Sequence, residues 1–340
     1  MIVAAAASWS GRIALASIAI LLTGAAVLTR VQYQADLRQA MDRSASGSHL
    51  IDTPCGQIEY AMVGDGPAVL VVHGAGGGFD QGLESAQPLI DRGFTVIAPS
   101  RFGYLRTPLP QDASPEAQAD AYACLLDALH VARVTAAAGS AGAPSVMQFC
   151  LRHQERCSAM ILLAPMAFVP GESGKPSLLT QAAIHTTLRS DFAFWVAANL
   201  ARDTMIETIL ATPIADFERA SAPEQERVLT IFRSIQPVSR RARGLQNDAA
   251  VAGTLPRYDL ERIATPTLII TARNDLFGTL ESSRYTAVHI PGARLIVYGD
   301  GGHVGVGHAE ETWSAAIEFL ENSRHERSRE APGPQAGAGG

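Results

Sequence analysis

Lysine is almost missing from this sequence of 340 residues, since Lys175 stands alone and arginine supplies the rest of its 27 basic side chains. No run of basic residues alternates with aromatic ones, and the net charge is -6, so the sequence lacks the electrostatic features of a nucleic-acid-binding protein. Charged residues make up only 18% of the chain and hydrophobic residues 47%, which excludes disorder over most of its length. A chain this long exceeds what one hydrophobic core usually fills, so we expect one large domain with a tail, an anchor or an inserted subdomain.

Cysteine is also scarce. The four cysteines, Cys55, Cys124, Cys150 and Cys157, form no Cys-x-x-Cys pair. No set of histidine, cysteine, aspartate and glutamate residues shows the spacing of a metal site, so the sequence predicts no metal. Buried free thiols are the favoured state, because free cysteine is among the most buried residue types. Disulfides are the alternative if the compartment is oxidising.

Charge is absent from residues 13–29, which are apolar and long enough to approach a membrane span. We therefore expect residues 1–46 to form an N-terminal membrane anchor with a linker. The alternative is a cleaved secretory signal, for which Gly24 and Ala26 would supply the small residues ahead of the cleavage site. The flanking arginines, with more on the C-terminal side, favour a cytoplasmic body but are too few to decide its side.

The opposite end of the chain lacks apolar spacing. Residues 324–340 are charged and then rich in glycine, alanine and proline, which predicts a disordered tail. The folded body is therefore expected to span residues 47–323.

Short apolar runs alternate with amphipathic stretches throughout that body. Apolar runs of this kind are typical of strands buried on both faces of a parallel sheet. An alternating stretch at residues 56–63 predicts an early antiparallel strand. The chain is therefore expected to form an α/β sheet with helices on both faces, and ligands bind such sheets at the carboxyl ends of the strands. The runs are AVLVVHG (68–74), FTVIAPS (94–100), VTAAAG (134–139), AMILLAP (159–165), PTLIITA (266–272) and RLIVYGD (294–300).

Ser140 follows one of these strands directly and precedes a predicted helix. A nucleophile on such a sharp turn takes strained backbone angles, and the positions two residues before and after it must be small. Here these positions are Ala138 and Gly142, where the usual G-x-S-x-G pattern has glycine at both. The turn therefore presents Ser140 as a candidate nucleophile.

A serine hydroxyl needs an imidazole to accept its proton and a carboxylate to orient that imidazole. Asp275 follows the penultimate strand, and His303 lies in the glycine-rich loop after the last strand. The order Ser140, Asp275, His303 is the one expected for a triad in this architecture. His308 and Asp300 are the rivals, and we favour a surface role for the former and a turn role for the latter.

The loop VVHGAGGG (71–78), the Ser140 turn, Asp275 and His303 resemble the α/β-hydrolase superfamily over roughly residues 50–323. The resemblance implies a mostly parallel eight-stranded sheet with helices on both faces, a helical cap inserted after the sixth strand, and a Ser-His-Asp mechanism without a cofactor. The expected parts of the chain are a core at 47–166 and 258–323 and a cap at 167–257.

The same resemblance implies an oxyanion hole made of backbone N–H groups. One donor is Ala141, and the other is Ala75 or Gly76 in the loop after the third strand. This loop lacks the Gly-Lys-Ser/Thr ending of a phosphate loop, so nucleotide binding is not expected. His73 is expected to be structural, and Arg101 to brace the loop after the fourth strand, with binding of a substrate carboxylate as its alternative role.

The segment between the sixth and seventh strands predicts helices at 190–211 and 221–235, which we interpret as a cap that excludes water and shapes the pocket. Apolar side chains of this region and of the oxyanion loop are candidates for lining that pocket, although they are equally suited to holding the cap on the core. The candidate lining residues are Phe79, Met166, Phe168 and Trp195.

Serine at the turn argues against the capped superfamily members that cleave halides or epoxides, because those use aspartate there. We therefore expect hydrolysis of a small, hydrophobic carboxylic ester through an acyl-enzyme. Hydrolysis of carbon–carbon bonds, lactone hydrolysis and perhydrolysis on the same triad are alternatives, as is a non-catalytic protein that binds an apolar ligand.

Overall fold

A single eight-stranded sheet forms the centre of the computed structural model, which describes residues 2–171 and 188–330. The strands are β1 (His49–Thr53), β2 (Gly56–Val63), β3 (Ala68–Val72), β4 (Thr95–Pro99), β5 (Val134–Gly139), β6 (Cys157–Leu163), β7 (Thr267–Ala272) and β8 (Arg294–Tyr298). Their order in the sheet is β1-β2-β4-β3-β5-β6-β7-β8. The pairs β1/β2 and β2/β4 are antiparallel, and all other neighbours are parallel. The predicted fold class is confirmed.

Helices cover both faces of this sheet and also form a separate layer above its carboxyl edge. The helices are α1 (Ile2–Ala45), α2 (Phe79–Ser85), α3 (Gln87–Asp91), α4 (Pro115–Ala128), α5 (Ala143–Arg152), α6 (Asp191–Leu200), α7 (Arg202–Ile209), α8 (Ile214–Arg219), α9 (Ala222–Ser234), α10 (Ala242–Thr254), α11 (Thr279–His289) and α12 (Ala309–Glu330).

The apolar runs of the central strands are explained by two cores, one on each face of the sheet. In β3, Leu70 and Val72 face the core that includes α4 and α5, whereas Val69 and Val71 face the core that includes α3 and α12. Successive side chains of a strand point to opposite faces, so a strand covered on both sides needs apolar residues at every position. The edge strand β1 was not predicted, because it is short and mostly exposed and so carries no apolar run.

Helices α6 to α10 lie between β6 and β7, in the segment where the sequence predicts the inserted cap. Residues from α6, α7, α8 and α9 share a third hydrophobic core, which includes Phe194, Ile206, Phe217 and Phe232. Val306, in the loop that carries His303, is buried in the same core and so ties the cap to the sheet. Residues 172–187 of the predicted cap lie outside the described residues.

The N-terminal helix α1 has two different halves. Its segment Gly11–Ala45 has a mean hydropathy of 2.0 in its most apolar window, and that window is not buried against the protein, so the helix is long and apolar enough to cross a membrane. The second half packs on the body, where Ala40 and Ser44 are almost fully buried. At the other terminus, α12 continues to Glu330, beyond the predicted start of the disordered tail at residue 324, and residues 331–340 lie outside the described residues.

The cysteines are paired, so the expectation of free thiols is wrong. Cys55 in the turn between β1 and β2 bonds to Cys124 in α4, and Cys150 in α5 bonds to Cys157 at the start of β6. Packing of α4 beside the β1–β2 hairpin brings together two residues that are 69 positions apart. Such a pairing has no signature in local cysteine spacing.

Candidate active site

Ser140 occupies the sharp turn between β5 and α5, near the middle of the sheet. Its φ of 47° is a strained value for a residue with a side chain. Close packing explains the small neighbours: a Cβ on Gly142 would lie 2.7 Å from the carbonyl oxygen of His73, and one on Gly74 would lie 3.3 Å from the Ser140 Cβ. The turn therefore has the geometry that the sequence predicts for a nucleophile.

Asp275 and His303 come together at the carboxyl ends of β7 and β8. The Nδ1 of His303 lies 2.7 Å from Oδ2 of Asp275, whose side chain is fully buried. Thr279 and the backbone N–H of Phe277 also donate hydrogen bonds to this carboxylate. Burial alone would raise the pKa of Asp275, but the hydrogen bond and charge of His303, together with these donors, lower it below its usual value. Asp275 is therefore an anion suited to orienting the imidazole.

The loop that carries His303 is held by residues of the cap and of the β7 loop. Gly301 N–H donates to Asp216 of α8, and Gly302 N–H donates to Asn274. Gly302 has a φ of 61°, and a Cβ there would lie 2.6 Å from the Thr212 backbone, so only glycine fits. The Phe277 ring packs edge-on against the His303 imidazole, with 4.9 Å between their centroids.

The backbone donors expected for an oxyanion hole differ in availability. Gly76 N–H donates to the Tyr104 hydroxyl at 3.2 Å, so this group is already engaged. Ala75 is exposed at the tip of the loop, and Ala141 follows Ser140 directly at the start of a helical turn. The structure therefore corrects the prediction for Gly76 and leaves the N–H groups of Ala75 and Ala141 as the candidates.

A buried polar network holds this oxyanion loop. His73 accepts a hydrogen bond at Nε2 from the backbone N–H of Arg101, so its Nδ1 carries the proton that it donates to Gly74 O. Burial, followed by the charge of Arg101, holds the pKa of His73 well below its usual value, so the ring is neutral. The Arg101 guanidinium donates to the carbonyl oxygens of His73 and Gly74. His73 thus has the structural role that the sequence predicts, whereas Arg101 supports the loop after the third strand rather than the predicted loop after the fourth.

Two cap residues complete that support, and sequence reasoning missed both. Asp248 of α10 accepts two hydrogen bonds from Arg101, at 2.6 and 2.7 Å, and a third from the Tyr104 hydroxyl. Arg241, which is fully buried just before α10, pairs with Asp80 at 2.7 Å and donates to the carbonyl oxygen of Gly77. Two ion pairs therefore hold the cap against the residues around the oxyanion loop. The cap supplies the carboxylate of one pair and the guanidinium of the other.

His308 and Asp300, the alternatives to His303 and Asp275, contact each other. His308 Nε2 lies 2.9 Å from Asp300 Oδ1, and its ring stacks on Tyr298 at 4.1 Å. The hydrogen bond from His308 lowers the pKa of Asp300, whose side chain is half exposed. This pair is separate from the contact between Asp275 and His303.

The four residues predicted to line a pocket lie in different parts of the structure. Met166 stays beside the nucleophile, because its N–H donates to Ser140 O at 3.1 Å. Phe79 is buried at the start of α2, and Phe168 packs against Tyr285 of α11. Trp195 faces α1, where its Nε1 donates to Asp36 at 2.8 Å. Trp195 therefore packs between helices and lines the cleft between α1 and the helices that follow β6, and its role in a substrate pocket stays a prediction.

The described residues include no group of three or more histidine, cysteine, aspartate and glutamate side chains arranged to hold a metal ion. A strained serine turn on a central strand and a histidine–aspartate pair at the same sheet edge are typical of hydrolases built on an α/β sheet. Comparison with known proteins agrees. A family model described as the alpha/beta hydrolase fold matches residues 67–307, and the chain belongs to this family.

Individual relatives cover most of the chain. An uncharacterized hydrolase of Bacillus subtilis is 28% identical over 278 residues, which are 78% of this chain and 96% of the relative. A 2-hydroxy-6-oxononadienedioate/2-hydroxy-6-oxononatrienedioate hydrolase of Paraburkholderia xenovorans is 25% identical over 78% of this chain and 90% of its own. The solved structure of an alpha/beta hydrolase fold protein from Nakamurella multipartita is 26% identical, with a TM-score of 0.62, and covers 80% of this chain and 98% of that one.

Proposed function

We propose that this protein hydrolyses a small, hydrophobic carboxylic ester through an acyl-enzyme formed on Ser140, with His303 as general base and acid and Asp275 as its partner. The observation that carries the proposal is the buried 2.7 Å contact between His303 and Asp275 at the sheet edge where Ser140 stands on its strained turn. An activated serine needs this arrangement, whereas a structural loop does not.

The steps follow from the roles of these three groups. Ser140 Oγ attacks the ester carbonyl carbon, and its proton passes to Nε2 of His303. The bond to the leaving oxygen then breaks, and the alcohol departs with that proton. Water next attacks the acyl group while His303 accepts the water's proton, and the bond to Ser140 Oγ then breaks as His303 returns that proton to Oγ and the acid leaves. Asp275 stays ionised throughout, which its lowered pKa supports, and stabilises the imidazolium.

The N–H groups of Ala75 and Ala141 would stabilise the oxygen on which negative charge develops. Losing one such donor typically costs on the order of 3 kcal/mol in the transition state. The clamped loop supports this role, because donors that are already oriented need not reorganise during the reaction.

Hydrolysis of a carbon–carbon bond is the second candidate, because the relative from Paraburkholderia is named for a keto dicarboxylate. Binding a dicarboxylate calls for cationic side chains that are free to pair with it. The two arginines that contact the oxyanion loop, Arg101 and Arg241, are already paired with Asp248 and Asp80. We therefore place ester hydrolysis first.

We also propose that α1 is a retained membrane anchor and that the body lies in an oxidising compartment. The second half of α1 is part of the folded body, as expected for the segment that joins a retained anchor to that body. Two disulfides support the oxidising side, because such bonds persist there and are rare in the cytosol.

A fluorophosphonate probe tests the mechanism, because it labels only an activated serine. We expect covalent mass on Ser140 in the wild type, none in Ser140→Ala, and at least about a 10⁴-fold loss of ester turnover in that variant. The matched control is Ser145→Ala, which removes a buried hydroxyl five positions further along the same turn and helix and should keep both label and turnover.

The results of this experiment distinguish the serine esterase from the alternative functions. Comparable turnover in Ser140→Ala would overturn the assignment, and a folded wild type that takes no label would point to the non-catalytic ligand-binding protein. A panel of p-nitrophenyl esters of increasing chain length, set beside lactones and diketones, identifies the bond that is cleaved.

A further inference from the structure

The helix α1 does not end where its apolar segment ends but continues into contact with the cap. Near its C-terminus, Arg43 donates hydrogen bonds to the carbonyl oxygens of Arg233, in the last turn of α9, and Gln236, just after that helix. Ala40 and Ser44 are 3% and 1% exposed on the same part of the helix. Because one continuous helix carries both the apolar segment and these contacts, the orientation of the cap relative to that segment is determined.

An aromatic cluster lies just beyond the apolar segment. Tyr33, one turn after Arg30, packs against Phe192 and Trp195 of α6, with ring centroids 5.1 and 5.7 Å apart. Trp195 is held there by its hydrogen bond to Asp36. Arg12 and Arg30 bracket the uncharged part of α1 and are separated by about 27 Å along the helix axis, close to the thickness of a bilayer core. The cluster is therefore at the level of the lipid headgroups when α1 spans a membrane.

The helix α6 exposes apolar side chains on this side of the body. Phe192 is 49% exposed and Leu200 is 83% exposed, and residues 192–200 contain no charged side chain. Positions eight residues apart on a helix differ by about 80° around its axis, so both side chains belong to one broad face. Charged side chains, among them Arg43 and Arg202, line an adjacent cleft of about 980 Å³ between α1 and the cap.

We propose that the surface formed by Tyr33, Phe192 and Leu200, with Trp195 buried behind it, docks on the bilayer that α1 spans and sits in its headgroup region. The proposal rests on α1 being the membrane anchor of the proposed function. A lipid surface is the partner that fits, because the exposed apolar face continues directly from the apolar segment. Tyrosine is also enriched at this depth, and arginine suits its polar layer.

Docking on the bilayer would affect how the substrate reaches the enzyme. Docking holds the cap, and so the layer above Ser140, against the membrane surface. An amphiphilic ester dissolved in the bilayer then reaches the enzyme without crossing bulk water.

Spin labels on the full-length protein in phosphatidylcholine vesicles test the docking. All four native cysteines are in disulfides, so Phe192→Cys and, separately, Leu200→Cys each provide a unique thiol for a nitroxide. The matched control is Val288→Cys, which is 81% exposed on α11, a helix that packs on β7 and β8 at the sheet edge opposite β1. Collisions with oxygen, which concentrates in lipid, are compared with collisions with a water-soluble nickel complex.

We expect the ratio of oxygen to nickel collisions at positions 192 and 200 to exceed the ratio at position 288 several-fold. The proposal is overturned if either position gives the ratio found at 288, or if the protein does not sediment with the vesicles. Leu200→Cys guards against misfolding, because Leu200 is more exposed than Phe192 and its replacement disturbs less packing.

Turnover of a water-soluble ester by the same samples separates this inference from the proposed function. Full turnover with labels in water would reject only the docking surface. Labels in lipid without turnover, and without a fluorophosphonate adduct on Ser140, would reject only the esterase.

Discussion

At the scale of single residues, the path of the oxyanion loop depends on side chains that are distant from it in sequence. Tyr104 accepts a hydrogen bond from Gly76 N–H and donates one to Asp248 of the cap. Burial, followed by the charge of Asp248, raises the pKa of Tyr104 well above its usual value, so its hydroxyl stays protonated and can donate. We therefore predict that Tyr104 is a positioning residue, which holds the oxyanion loop in its path.

Replacing Tyr104 by phenylalanine should show whether its hydroxyl affects turnover or only the stability of the fold. We expect kcat for the ester to fall about 10-fold, less than the 10²–10³ typical of losing a donor outright, with KM little changed. Tyr122→Phe is the matched control, since Tyr122 is equally buried and its hydroxyl bonds to Ser145 outside the loop. It should cost about 1 kcal/mol of stability and leave kcat intact. Equal kcat values in the two variants would contradict the positioning role.

At the scale of secondary structure elements, the two disulfides tie different parts of the α/β body. Cys55–Cys124 joins the β1–β2 hairpin to α4 across 69 positions, whereas Cys150–Cys157 joins the end of α5 to β6 across 7. A cross-link restricts the unfolded chain more when the loop it closes is longer. The first bond is therefore expected to contribute more to stability than the second.

Paired alanine substitutions measure this difference. Loop-closure entropy predicts a loss of about 4 kcal/mol for Cys55→Ala/Cys124→Ala and about 2 kcal/mol for Cys150→Ala/Cys157→Ala. Urea unfolding of the detergent-solubilised protein, followed by circular dichroism, gives both values under the same conditions. A larger loss for the short loop would show that effects other than chain entropy dominate.

At the scale of the whole molecule, the arginines beside the apolar segment and the disulfides favour opposite sides of the membrane. Arg30, Arg38 and Arg43 follow the segment, and an excess of such residues favours a cytoplasmic body. Arg43, however, donates to carbonyl oxygens of the cap and so belongs to the folded body. Because Arg43 has a role in the fold, it is weak evidence for a cytoplasmic body. We therefore give the disulfides greater weight in assigning the side of the membrane.

The thiol state of the protein in cells checks this topology. Alkylation without a reductant should modify none of the four cysteines, and alkylation after reduction and unfolding should modify all four. An alkaline phosphatase fused to the C-terminus should be active, because that reporter needs its own disulfides. Modified cysteines in unreduced protein, together with an inactive fusion, would place the body in the cytosol.

The sequence by itself determined the features that depend on local order. Apolar runs identify strands buried on two faces, small residues around Ser140 identify a sharp turn, and the order of strands places Asp275 and His303 at the same edge. Only the tertiary structure decided the cysteine pairs, the engagement of Gly76, the position of Trp195 against α1, and the clamps made by Asp248 and Arg241. These contacts join residues far apart in the chain, such as Arg101 and Asp248 at a separation of 147 positions. These residues come together only when the cap packs on the core, and local residue patterns do not predict that packing.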